Sequence, residues 1–60
     1  MYQIYNNVEN KIVFNGNERN FLDFTKLIVI ENMDYDYSVL GISDAIDYIE
    51  DYCDNLEIEY

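Results

Sequence analysis

Between Ile42 and Asp54 the chain reads ISDAIDYIEDYCD, and this segment leaves little freedom in how the protein folds. Ile42, Ala45, Ile46, Ile49 and Cys53 recur three and four residues apart, which lines one face of an α-helix with apolar groups. Asp44, Asp47, Asp51 and Asp54 recur at the same spacing on another face. Only a helix buries the first set and leaves the second in water. Ser43 suits the N-cap, and Asp44 suits the first turn, where a negative charge meets the positive end of the helix dipole. The spacing therefore predicts a helix over about 43–54. Carboxylates one turn apart repel, at roughly 0.2–0.5 kcal/mol per pair. A chain that keeps them needs the apolar face to offset the cost, or needs the charge for something else.

Stability to spare is scarce in 60 residues, which make one domain and bury only about 60% of the surface of the unfolded chain. The single Cys53 excludes an internal disulfide, and without any His there is no Cys/His zinc set. Cys53 reads as a small apolar residue on the inner face of the helix, and a reduced thiol fits the cytoplasm. Half the residues are hydrophobic and 17% aromatic, too apolar for a disordered acidic tail. The N-terminus MYQIYNNVEN lacks the basic and apolar regions of a signal peptide. The longest aliphatic run, Leu27 to Ile30, is far short of the ~20 residues that span a bilayer. A soluble, cytoplasmic protein without a membrane anchor is expected.

Tyr2–Tyr5 and Lys11–Phe14 are β-prone runs separated by the Asn-rich NNVEN and read as a hairpin, closed by Asn15-Gly16. The 17–25 segment crosses the surface with room for one helical turn. Lys26-Leu27-Ile28-Val29-Ile30-Glu31, β-branched and apolar on both faces, reads as a central strand. Tyr35–Leu40 alternates weakly and is expected to pair with it. Leu56, Ile58 and Tyr60 alternate inward against outward Glu57 and Glu59. The fold class expected is α+β: a small, mostly antiparallel sheet of about four to five short strands packed on one amphipathic helix.

The charge distribution is the unusual term. Residues 1–30 are neutral, whereas residues 31–60 hold ten acids and no base, so the whole net charge of −10 lies in the second half. Solubility of a small domain needs only about 2–8 charges, and exposed helices ordinarily interleave signs. Neighbouring carboxylates on a helix stand about 5–6 Å apart, a scale similar to that of phosphates along a nucleic-acid strand. Asp44, Asp47, Glu50, Asp51 and Asp54, flanked by Asp34, Asp36, Glu57 and Glu59, are thus candidate partner-binding residues forming a phosphate-like array. Tyr35 and Tyr48 are candidate aromatic anchors, since tyrosine combines rigid area with a polar tip.

Other chemistries find less support. Asp34, Asp36 and Ser38 begin like a calcium loop, but Val39 stands where the loop needs Gly and Ala45 where it needs Glu. No metal site and no cofactor are expected. Ser38, Ser43, Thr25 and Cys53 have no candidate base other than carboxylates, and a chain this small has little room for a ligand pocket of about 300–1,000 Å³. No catalytic residue is expected, and the chain reads as not an enzyme.

A tiny acidic chain rich in Asn and Tyr and poor in Arg, with stretches such as SDAIDYIEDYCD and LEIEY, resembles the small proteins that phages encode against bacterial defence. That class includes anti-CRISPR proteins, inhibitors of uracil-DNA glycosylase and anti-restriction DNA mimics. The resemblance is one of overall character and carries no individual residue across. It implies a non-enzymatic inhibitor in the host cytoplasm. Such a protein occupies the basic nucleic-acid-binding surface of a defence nuclease or helicase complex without binding nucleic acid itself. The alternative is a small structural or regulatory protein-interaction module, homodimeric in one form, whose acids serve only solubility.

Overall fold

Asn6 ends the first strand and shapes the first turn. Its buried side-chain oxygen accepts from the backbone N–H groups of Val8 and Glu9, both at 2.9 Å, so the polar group is satisfied while the chain reverses. The computed structural model describes residues 1–59 and shows two strands joined by this turn, β1 (Tyr2–Asn6) and β2 (Lys11–Gly16). They pair antiparallel with an irregularity between Ile4 and Tyr5. Helices α1 (Glu18–Glu31) and α2 (Ile42–Tyr52) follow, and then strand β3 (Leu56–Glu59), which pairs antiparallel with β1. The sheet order is β2-β1-β3, so β1 is the central strand. The protein is α+β, with three strands and two helices among the described residues. Tyr60, expected to point inward, lies outside the described residues.

The expected central strand at 26–31 is the C-terminal half of α1. Local β propensity loses there to helical period: Phe21, Leu22, Phe24, Thr25, Ile28 and Val29 fall on one face and pack on the core or within it. Asn17 caps the start by accepting from the Asn20 N–H at 2.9 Å. Buried Thr25 satisfies its hydroxyl by donating to the Phe21 carbonyl at 2.9 Å. The helix also takes in most of the 17–25 segment. Its cost is apolar exposure, because Leu27 and Ile30 turn to solvent at 60% and 57%.

With no strand at 26–31 to pair with, Tyr35–Leu40 forms no ladder and runs as turn and irregular chain. Its entry is set by the end of α1. There Met33 N–H donates to the Ile30 carbonyl and Asp34 N–H to the Val29 carbonyl, each at 3.0 Å. Met33 takes φ 59°, the left-handed conformation that closes a Schellman motif and usually falls to Gly.

Helix α2 matches the expected segment within two residues. It starts one residue early: Gly41, not Ser43, is the N-cap and gives no side-chain bond. Asp44 partly replaces it, its carboxylate accepting from the Leu40 N–H at 3.0 Å. α1 packs against β2, and α2 against β3 and α1. Ile4, Phe21, Ala45, Tyr48 and Ile49 meet without solvent exposure in the core between the sheet and the helices. Tyr2 and Phe14 extend it through rings stacked 5.0 Å from Phe21 and 4.9 Å from Phe24. Cys53 is buried at the end of α2, as the helical period indicated. No described helix is long and apolar enough to cross a membrane.

Candidate acidic interface

α2 sets the geometry of the site. Its buried row is Ala45, Tyr48 and Ile49, which turns Asp47, Glu50 and Asp51 to solvent. Asp44 is half-buried through its bond to Leu40, and exposed Asp54 follows the helix end. Among the described residues the one ion pair is Lys11 with Glu9 at 3.3 Å, in the hairpin. Among the described residues, no acid of the second half therefore has an internal counter-charge.

The flanking acids divide. β3 turns Leu56 and Ile58 to the core and leaves Glu57 and Glu59 exposed on the open face of the sheet. These two stand on the layer opposite the outer face of α2, and Glu57 accepts from the Asn7 side chain at 3.0 Å. A single continuous array of all nine acids is therefore not formed. Asp36 is exposed on the turn after α1, whereas half-buried Asp34 faces inward and accepts from the Tyr48 hydroxyl.

Tyr48 corrects the sequence reading most plainly. It is 0% exposed and cannot serve as an anchor; its hydroxyl accepts from the Asn32 amide at 3.0 Å while donating to Asp34. Burial first, and then the Asp34 bond, raise its pKa above the ordinary tyrosine value, so the hydroxyl stays protonated. Tyr35, by contrast, is 73% exposed and free to touch a partner.

Two tyrosines not anticipated as site residues take the place of Tyr48. Tyr37 and Tyr52 stand with ring centroids 5.3 Å apart, and each packs on Tyr48, at 4.8 and 5.1 Å. Half-buried Tyr37 donates to the Asp44 carbonyl at 3.2 Å. Its pKa is raised by desolvation first and then by the charges of Asp47, Asp44 and Asp51, with Tyr52 also contributing. The acid stripe and the tyrosine cluster are thus neighbours. The signal was present in the sequence as the row Ala45, Tyr48, Ile49, Tyr52 at helical spacing, which places Tyr48 between apolar groups and Tyr52 at its outer end.

The Cys53 thiol is pushed up by burial and by the charges of Asp34 and Asp54, which keeps it protonated and a poor nucleophile. Among the described residues no three His, Cys, Asp or Glu side chains converge as a ligand set for a metal ion. What the arrangement offers chemically is a surface for cations: unpaired carboxylates beside tyrosine faces, which attract ammonium and guanidinium groups. Comparison with known protein families, curated proteins and solved structures finds no match for the chain.

Proposed function

We propose that this protein is a non-enzymatic inhibitor of phage type. It acts in the bacterial cytoplasm by occupying the basic nucleic-acid-binding surface of a host defence protein, as anti-CRISPR and DNA-mimic proteins do. One observation carries the reading: α2 holds Asp47, Glu50 and Asp51 in water with Asp44 and Asp54 at its ends, and no cation among the described residues pairs with them. The carboxylates repeat on a scale that lysines and arginines arranged for phosphates would accept. Asp36, Tyr35, Tyr37 and Tyr52 border this face and add contact area. Glu57 and Glu59, on the opposite layer, contribute to long-range steering, which makes association fast and salt-sensitive. The protein itself does not bind nucleic acid, since both carry the same sign of charge, and it uses no cofactor.

A second reading, a protein-interaction module that dimerises or docks a partner through apolar contacts, is favoured by Leu40, 88% exposed beside exposed Tyr35. Binding to a panel of purified defence nucleases and helicases, titrated with salt, separates the two. The inhibitor reading requires affinity to fall steeply with ionic strength. Affinity indifferent to salt removes it in favour of the second.

A further inference from the structure

Two clefts meet on the side of the molecule next to the acid stripe. One, of about 360 Å³, lies between the C-terminal half of α1 and the 35–40 segment, with Val29, Ile30, Val39 and Leu40 among its walls. The other, of about 290 Å³, is lined by Tyr35, Tyr37 and Tyr52 with Asp34 and Asp36. Tyr35 and Tyr37 line both, so the apolar and the acidic-aromatic parts are continuous. Ile30, Tyr35 and Leu40 are exposed apolar side chains gathered at one place, more than scattered surface residues would give.

We infer that this double cleft is the receptor for one amphipathic basic segment of the partner protein. An aliphatic side chain of that segment sits between Ile30 and Leu40. An arginine or lysine beside it lays its stem and charged head over Tyr35, Tyr37 and Tyr52 toward Asp36. The inference deepens the inhibitor reading and rests on it. Charge selects the occupant. The net charge is −10, the second cleft holds two carboxylates, and Asp44, Asp47 and Asp51 act on Tyr37 from the next element. A second copy of this chain would bring those acids against each other, with Lys26 the lone cation in either lining. A cationic head is attracted by every one of these carboxylates and meets only Lys26 as a like charge, and tyrosine faces attract it further once it is partly desolvated. Arginine suits the cleft better than lysine because its planar guanidinium both stacks on tyrosine and forks to a carboxylate.

The test uses the intact protein and blocked synthetic peptides of one length in which leucine and arginine alternate along one helical face. Companion peptides carry citrulline for arginine, which keeps the shape without the charge, or serine for leucine. Binding is read by titration calorimetry, and its location by NMR shifts. Leu40→Ser and Tyr35→Ala alter exposed side chains only, and circular dichroism checks that both remain folded. The wild type should bind the leucine–arginine peptide. Each protein variant, and each companion peptide, should weaken binding by about tenfold, as removal of a central contact does. The inference is overturned if the peptide does not bind, if the citrulline or the serine peptide binds as well as the leucine–arginine one, or if both protein variants bind at wild-type strength. It is also overturned if sedimentation shows a dimer that Leu40→Ser dissolves, because the cleft then holds a second copy. Failure of this kind leaves the acid face untouched. Conversely, an intact cleft together with a protein that never competes with nucleic acid would sink the inhibitor reading and leave the receptor standing.

Discussion

Tyr48 donates its hydroxyl to Asp34 at 2.5 Å, tying the core row of α2 to the turn that ends α1. The bond keeps the Tyr48 ring out of the candidate interface and uses it, with Asp34, to hold the 33–37 turn in place. That turn carries Tyr35 and Tyr37, so a buried contact positions an exposed one.

Tyr48→Phe keeps the ring and deletes the bond. It leaves Asp34 and the Asn32 amide without their partner, which costs about 1–2 kcal/mol. This is the lower part of the range for a stranded polar group, because both retain some contact with water. Chemical denaturation measures it. A variant as stable as the wild type would show that the bond contributes nothing to the fold.

Alkaline pH should destabilise the protein through Tyr37 and Tyr48. Both pKa values are raised above 10.0, by burial first and then by neighbouring carboxylates, so folding favours the protonated hydroxyls. Their contribution is fully present below the unfolded value and is lost as pH rises through the higher folded values. The melting temperature should therefore hold up to about pH 10, the ordinary tyrosine value, and fall as pH rises above it, with tyrosinate absorbance appearing at these two only as the fold opens. Tyr37→Phe, which has no proton to lose there, should flatten part of the drop.

Much of this architecture is legible in the sequence. The hairpin, the helix of α2 and the alternation of Leu56–Glu59 follow from patterns in which period and composition agree. Lys26–Glu31 did not, because Leu-Ile-Val-Ile is apolar at every position and so has no period of its own. Its helical frame comes from Phe21 and Thr25 upstream and from the Asn17 cap, which had to be read together with it. Tyr35–Leu40 forms no strand for the same reason, since the partner it would pair with is helical. At the site, the exposed acids of α2 were legible from spacing alone. The Tyr48 ring has its place in the Ala45–Ile49 row, but what satisfies its hydroxyl was not legible, since Asp34 and Asn32 adjoin it only in the fold.

Met33 holds φ 59° with its side chain 72% exposed, so the strain is not offset by packing. The left-handed conformation costs a non-glycine residue roughly 1–2 kcal/mol, and glycine gives back about 0.4–1 kcal/mol through the entropy of its unfolded chain. Met33→Gly should thus stabilise the protein by about 0.5–1 kcal/mol in denaturant titration. A loss of stability would mean that the side chain holds the turn.

Salt should raise the melting temperature. Ten acids without a base in residues 31–60 repel one another, and ions screen that repulsion within about 10 Å at 0.1 M. Scanning calorimetry across low to moderate salt checks it. A flat response would show that the acids do not act on one another, and would weaken the phosphate-like array.

The central claim is that the outer face of α2 stands in for a phosphate track, and competition with DNA tests it most directly. Purified defence nucleases and helicases are loaded with labelled duplex DNA and titrated with the protein. The account predicts displacement from at least one of them, weakening as salt increases, because the acids act collectively while a single surface charge is worth little. Asp47→Asn alone should then change the titration only slightly. Asp44, Asp47, Asp51 and Asp54 changed together to Asn should abolish displacement while leaving the fold intact. Protein and DNA bound to the same target at once, or the fourfold variant displacing DNA at full strength, would contradict it.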